Sequence, residues 1–290
     1  MNLREYKKLY FIGIGGSSMS GLACFLQSRG LLVAGSDMQE SYTSKMLTDR
    51  GITVFFGHHA ENIENFLPEA VIKTDAIADN NPELLKTKEL NIPIFRRAEL
   101  LGAILDGFER TVGVAGTHGK TTTTSMITAI NIACDTDPSA LIGGKMLDIG
   151  TSWKEGTGKN CIFESCEFRE SYLFFKSDIS VILNIACDHM EYFKTEDNLI
   201  NSFAKYTKNV RPGGTLIINA EDNNSVKMLE RSGYKQMLRE DDDTDRLENL
   251  TVIDANGRSV PLYHSLDNEE HYQFALPAAS VTVTPVFVAL

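Results

Sequence analysis

Thr111-Val112-Gly113-Val114-Ala115-Gly116-Thr117-His118-Gly119-Lys120-Thr121-Thr122 runs from an apolar stretch of strand length through a glycine-bracketed turn into a helical stretch, Thr121–Cys134. The strict phosphate-loop pattern begins with a glycine where this chain has Val114, but its end is intact. Gly119 permits the close turn, Lys120 reaches the β- and γ-phosphates, and the Thr121 hydroxyl can ligate Mg²⁺. Gly116, Thr117, His118, Gly119, Lys120, Thr121 and Thr122 are therefore the expected ATP-binding residues. Lys120 is their catalytic cation.

Upstream lies a second glycine loop, Gly13-Ile14-Gly15-Gly16-Ser17-Ser18-Met19-Ser20-Gly21, again between an apolar run and a helical stretch. Glycines there let the chain turn tightly and let a diphosphate approach the backbone at a helix N-terminus. Asp37 follows some twenty residues later, where a dinucleotide fold places its ribose acid. Ser18 replaces the third fingerprint glycine, so the pattern is compatible with a nucleotide, a nucleotide-sugar or a structural turn. The candidate binding residues are Gly15, Gly16, Ser17, Ser18, Met19, Ser20 and Asp37.

Around both loops, strand-length apolar runs alternate with helical stretches. Strands are expected over Leu9–Ile14, Leu31–Ser36, Ile52–Phe55, Ala70–Ile72 and Ile92–Phe95, and helices over Met19–Arg29, Ser44–Arg50, Pro82–Leu90 and Ala98–Leu105. After a break near Gly107–Arg110 come strands Thr111–Ala115, Asn160–Phe163, Ile179–Asn184 and Thr215–Ile218, with a helix over Asn198–Asn209. Such alternation predicts an α/β chain of parallel sheets. A Rossmann-like unit would span 1–107 and a P-loop α/β unit 108–290. Asn256-Gly257 reads as a hairpin turn.

Further candidates sit after the later strands, at the carboxyl edge where open α/β sheets gather their sites. Glu164 could complete the Mg²⁺ shell begun by Thr121. Asn184 and Asp188-His189 follow the next strand, and the His189 imidazole could serve a second metal position. Glu167 has no clear role. His58-His59 reads as a surface loop near the first nucleotide.

Bulk properties narrow the classes. Of 290 residues, 42% are hydrophobic and 23% charged, which is ordinary for a globular chain. A net charge of −11 with no basic stripe argues against a nucleic-acid partner. The five cysteines form no CxxC pair, so reduced thiols in a cytoplasmic protein are expected. No run approaches the ~20 apolar residues of a membrane span. The glycines after Ile12 cut short any signal-type segment.

Together these motifs resemble the Mur ligase family, most of all its alanine-adding members, from about residue 9 to about residue 276. The resemblance is carried by Phe11–Gly21, Gly35-Ser36-Asp37, Asn81-Pro82-Glu83, Arg96-Arg97-Ala98-Glu99, Gly116–Thr124, Asp137-Pro138 and Gly143-Gly144. Downstream it continues through Glu164-Ser165-Cys166-Glu167, Ser171-Tyr172-Leu173, Leu183-Asn184-Ile185 and Asp188-His189. It implies that the lactyl carboxylate of UDP-N-acetylmuramate attacks ATP to give an acyl phosphate, and that L-alanine then forms the amide. It implies catalytic roles for Lys120, Glu164 and His189. Thr121 and Glu164 would hold one Mg²⁺, His189 would help hold a second, and the uridine diphosphate would sit on the first loop.

The family also has a His-Asn segment contacting adenine and a third domain. Here Leu276-Pro277 leads into Ala278-Ala279-Ser280-Val281-Thr282-Val283-Thr284 and the sequence given ends at Leu290. The resemblance therefore leads one to expect an incomplete ATP unit, an absent third domain and impaired activity. The alternatives are a non-catalytic UDP-sugar or nucleotide binder and a sister ligase adding another amino acid. An NAD-dependent oxidoreductase would leave Gly116–Thr122 without a role.

Overall fold

The computed structural model describes residues 1–219, 221–233, 250–253 and 259–262. Asn256-Gly257, the acidic run Glu240–Asp245 and the segment from Leu276 onward lie outside them. The strands flanking Asn256-Gly257 do pair antiparallel, with Ile253 opposite Ser259.

The first sheet is built from β1 (Lys8–Ile12), β2 (Leu32–Asp37), β3 (Thr53–Phe56), β4 (Ala70–Lys73) and β5 (Ile94–Arg96) in the order β3-β2-β1-β4-β5. All its pairings are parallel. Leu9, Tyr10, Phe11 and Ile12 are fully buried, because helices cover both faces of a parallel sheet. Leu9 and Phe11 enter the large core, while Tyr10 and Ile12 pack with Ile63, Val71 and Leu84 on the other face.

The helices of this unit are α1 (Ser17–Ser28), α2 (Tyr42–Asp49), α3 (Ala60–Phe66), α4 (Pro82–Glu89) and α5 (Arg97–Leu105). Asn81 caps α4 by accepting from the backbone N–H groups of Glu83 and Leu84, and Pro82 opens the helix. Because the strand order reverses at β1, the loops after β1 and β4 flank the crevice where such sheets bind ligands.

The second sheet runs β11-β10-β6-β9-β7-β8. Its strands are β6 (Arg110–Ala115), β7 (Ser139–Met146), β8 (Thr151–Lys154), β9 (Asn160–Glu164), β10 (Ser177–Ile182) and β11 (Val210–Ile218). Only the β7–β8 pairing is antiparallel. The helices are α6 (Lys120–Ala133), α7 (Met190–Phe193), α8 (Glu196–Tyr206) and α9 (Asn223–Ser232), and irregular helical turns span Phe168–Phe174. Beyond them, β12 (Leu250–Ile253) and β13 (Ser259–Leu262) form a separate two-stranded sheet.

One apolar cluster continues from the first unit into the second, from Leu9 and Phe25 through Trp153 to Phe163 and Phe203. Trp153 of β8 rests on Gly21 of α1. The elements absent from the sequence reading are α3, β7, β8, α7, α9 and the turns at Phe168–Phe174. Gly143-Gly144 interrupts the apolar pattern of β7, and α3 buries little beyond Ile63.

Candidate functional site

At the first loop, Gly13 has φ +82°, which frees the chain to reverse after β1. The Ser36 carbonyl accepts from the N–H groups of Gly13 (2.8 Å) and Ile14 (2.9 Å). Asp37 Oδ2 accepts from Gly15 N–H at 2.8 Å, and Oδ1 from Met38 N–H at 2.8 Å. Gly16 precedes α1 and contributes no capping side chain, so the helix opens with uncapped N–H donors. Gly16, Ser17 and Ser18 are exposed, whereas the Met19 and Ser20 side chains turn into the protein. Of the seven candidates, Met19 and Ser20 therefore offer only backbone to a ligand.

At the second loop, Gly116 has φ +128° and lies so close to Leu183 and Asn184 that a Cβ would meet their backbone at 3.1 Å. Thr117 N–H donates to the Asn184 carbonyl at 2.9 Å, and His118 N–H to Asn184 Oδ1 at 2.9 Å. The loop is thus sewn to the end of β10, a role for Asn184 that the sequence did not reveal. Gly119, Thr121 and Thr122 are exposed at the start of α6.

Lys120 Nζ donates to the Gly116 carbonyl (2.6 Å), the Thr117 carbonyl (3.1 Å) and Glu167 Oε1 (3.0 Å). Glu167 is 1% exposed. Its Oε2 is 2.9 Å from the same ammonium but out of line for a hydrogen bond, so it has no donor. Thr121 Oγ1 donates to Glu164 Oε2 at 2.8 Å, and Gly143 N–H donates to the same oxygen at 2.9 Å.

The three metal candidates fall into two groups. Thr121 and Glu164 meet directly, whereas His189 gathers with Glu167 and Asp188, ligand atoms all lying within 4.8 Å of one another. The His189 ring stacks at a tilt on Phe168, 4.8 Å between centroids. The donorless oxygen of Glu167 beside a second carboxylate and an imidazole fits a divalent cation, as does the Thr121–Glu164 pair. Nearby, burial raises the Tyr172 phenol well above its ordinary range, opposed by its hydrogen bond to Ser202 Oγ, and the charges of Glu167 and Glu170 add to the rise.

Two further features escaped sequence reading. A cavity of about 630 Å³ is lined by Asp75, Arg96, Arg169, Glu170, Phe174 and Tyr192, joining the loop after β4 to the turns that follow Glu167. Arg96 grips Asp75 through Nε (3.0 Å) and Nη2 (2.9 Å). His58, expected in a surface loop, instead turns inward. Its Nδ1 is 2.9 Å from the fully buried Glu83, and only His59 is exposed. An acid in the first turn of a helix gives no sequence signal that it is buried, so nothing marked Glu83 as a partner.

A doubly wound sheet with a glycine loop after its first strand, followed by a largely parallel sheet whose Lys-Thr loop faces paired carboxylates, defines a two-unit α/β protein with two candidate phosphate-binding loops. Residues 8–109 match the family described as "Mur ligase family, catalytic domain", and residues 114–280 the "Mur ligase middle domain". The chain belongs to the Mur ligase family. It is 44% identical over 217 residues to the UDP-N-acetylmuramate–L-alanine ligase of Caldicellulosiruptor bescii, covering 75% of this chain and 47% of that protein. To the ligase of the same name from Clostridium acetobutylicum it is 39% identical over 260 residues, or 89% of this chain and 56% of that one. The crystal structure of UDP-N-acetylmuramate–alanine ligase from Thermotoga maritima superposes with a TM-score of 0.69 at 30% identity, over 76% of this chain and 51% of that one. The chain thus spans about half the length of the curated relatives it matches. No helix among the described residues is long and apolar enough to cross a membrane.

Proposed function

We propose that this chain carries the UDP-sugar and ATP sites of an ATP-dependent amide ligase that joins L-alanine to the lactyl carboxylate of UDP-N-acetylmuramate. The observation that carries the reading is the convergence of Lys120, Thr121, Glu164 and the Gly143 N–H at one loop, in a chain 44% identical to a ligase of that name. The UDP-sugar unit would span 1–107 and the ATP unit 108–290. Both nucleotides are cytosolic metabolites, so the reading places the chain in the cytoplasm.

In this reading the open N-terminus of α1 receives the uridine diphosphate, and the Gly116–Thr122 backbone receives ATP. A carboxylate oxygen of the acceptor attacks the γ-phosphorus and ADP leaves. The amine of L-alanine attacks the resulting acyl phosphate, and phosphate leaves as the amide forms. Lys120 exchanges its backbone carbonyls for phosphate oxygens and offsets the charge spreading over the transferring group. Thr121 and Glu164 would hold one Mg²⁺, and Glu167, Asp188 and His189 a second. The bound ions would supply charge neutralisation at the phosphates.

Thermal melting with UDP-N-acetylmuramate, and separately with Mg²⁺–ATP, tests the reading. A ligand at a hundred times its Kd stabilises the native state by about 2.7 kcal/mol. Upward shifts with both are expected. An unchanged melting temperature with saturating UDP-N-acetylmuramate would remove the acceptor assignment.

A further inference from the structure

Behind the first glycine loop lies a buried carboxylate that the proposed chemistry does not use. Glu83 takes two donors on each oxygen. Oε1 accepts from Tyr10 Oη and Asn62 Nδ2, each at 2.7 Å, and Oε2 faces Ser36 Oγ at 2.6 Å and His58 Nδ1 at 2.9 Å. Ser36 Oγ also lies 3.0 Å from His58 Nδ1. A hydroxyl has one proton, and Ser36 gives its proton to Glu83. The proton between Ser36 and His58 must therefore sit on Nδ1. In the neutral imidazole this leaves Nε2 as an acceptor, on the side of the ring away from Glu83. Among the described residues Nε2 has no hydrogen-bond partner, and the side chain is 12% exposed.

His58 is also in the right place. It follows β3 by two residues, and Phe56 at the end of β3 stands opposite Asp37 in the sheet register. Ser36, which touches His58, holds Gly13 and Ile14 of the glycine loop through its carbonyl. In a doubly wound sheet the diphosphate lies at the loop after the first strand and the ribose lies toward the end of the second. Asp37, which that arrangement would make the ribose acceptor, already holds one backbone N–H on each oxygen. Met38 and Phe56, 64% and 48% exposed, offer apolar surface beside it for a base.

We propose that His58 is a ligand contact of the first loop: Glu83 holds its Nδ1–H, and Nε2 accepts a hydrogen bond from a ribose hydroxyl of the bound nucleotide. The inference rests on the UDP-sugar reading of that loop. Two variants of the full chain separate the two faces of the ring. In His58→Asn the amide stands in for Nδ1 and keeps a donor to Glu83, but nothing replaces Nε2. In His58→Gln the longer side chain reaches toward the Nε2 position and serves Glu83 less well.

With UDP as the calorimetric probe, His58→Asn should melt within roughly 2 °C of the parent and bind about tenfold more weakly. His58→Gln should melt lower yet keep its affinity within about threefold. Binding of Mg²⁺–ATP should be unchanged in both. Parent-like UDP affinity in His58→Asn, or parallel loss of melting temperature and affinity in both variants, would reduce His58 to a structural role. If the parent itself does not bind UDP, the reading of the first loop falls together with the inference. If the parent binds and His58→Asn binds equally well, the inference falls alone.

Discussion

The first glycine loop is held from behind, by the Ser36 carbonyl and Asp37 with the saturated carboxylate of Glu83 beneath them, whereas the second, besides being tied to Asn184, has its own side chains already partnered. Lys120 is turned onto Gly116, Thr117 and Glu167, and Thr121 onto Glu164. Nothing at the first loop must let go before a diphosphate reaches the N-terminus of α1. At the second loop the side chains that would meet ATP are already partnered, so binding is an exchange of contacts. A site that offers free backbone N–H groups suits a handle that stays bound, and one whose cation is already ion-paired suits a nucleotide that is consumed.

The largest effect that tests this contrast comes from Lys120. Lys120→Ala would leave the carboxylate of Glu167 buried beside Asp188 without its cation, which costs about 3 kcal/mol in comparable cases. For a chain of this size that is a melting temperature lower by roughly 6–12 °C. Lys120→Ala combined with Glu167→Gln should recover more than half of the loss, because the uncompensated charge is gone. A single variant that melts like the parent would mean that the second loop does not depend on its own ion pair.

Paired glycine substitutions give a smaller effect, on binding more than on stability. A methyl group at Gly143 would stand 2.4 Å from Glu164 Oε2, and one at Gly15 would stand 2.7 Å from Asp37 Oδ2. Gly143→Ala should swing Glu164 off Thr121 and weaken Mg²⁺–ATP binding about tenfold while sparing UDP. Gly15→Ala should weaken UDP by a few-fold and spare ATP. Titration calorimetry with each ligand reads both. Crossed losses, in which either variant harms the other loop's ligand, would show that the two loops are not independent.

The parts legible in the sequence are those that depend on short stretches. The runs Leu9–Ile12 and Thr111–Ala115 announce strands buried on both faces, and the glycines after them announce the turns. The Thr121–Glu164 pair was also expected, because each residue follows a strand at the same sheet edge. What stayed hidden depends on distant partners. His58 and Glu83 are 25 residues apart, and Lys120 and Glu167 are 47 apart. Lys120 stands out by its motif, but its partner Glu167, like His58 and Glu83, reads alone as an ordinary polar residue. Arg169 and Glu170, consecutive residues with φ of 51° and 55°, carry no sequence mark of a left-handed backbone. They line the cavity because the turn after Glu167 bends that way.

The smallest effect lies in that cavity, where the loop after β4 meets the turns that follow Glu167. The bidentate hydrogen bonds from Arg96 hold the Asp75 carboxyl below its usual range, and Arg169 and Lys73 act in the same direction. A carboxyl depressed in the folded state contributes stability above its unfolded pKa of about 3.9, and that stability is lost as pH falls through the lower folded value. The pair is partly exposed, so its contribution is about 0.5 kcal/mol. Asp75→Asn should therefore melt slightly below the parent at pH 7, and the gap should close as the pH falls below about 4. Arg96 would then be free to turn into the cavity. If the gap instead stays constant down to low pH, Asp75 acts through packing rather than charge.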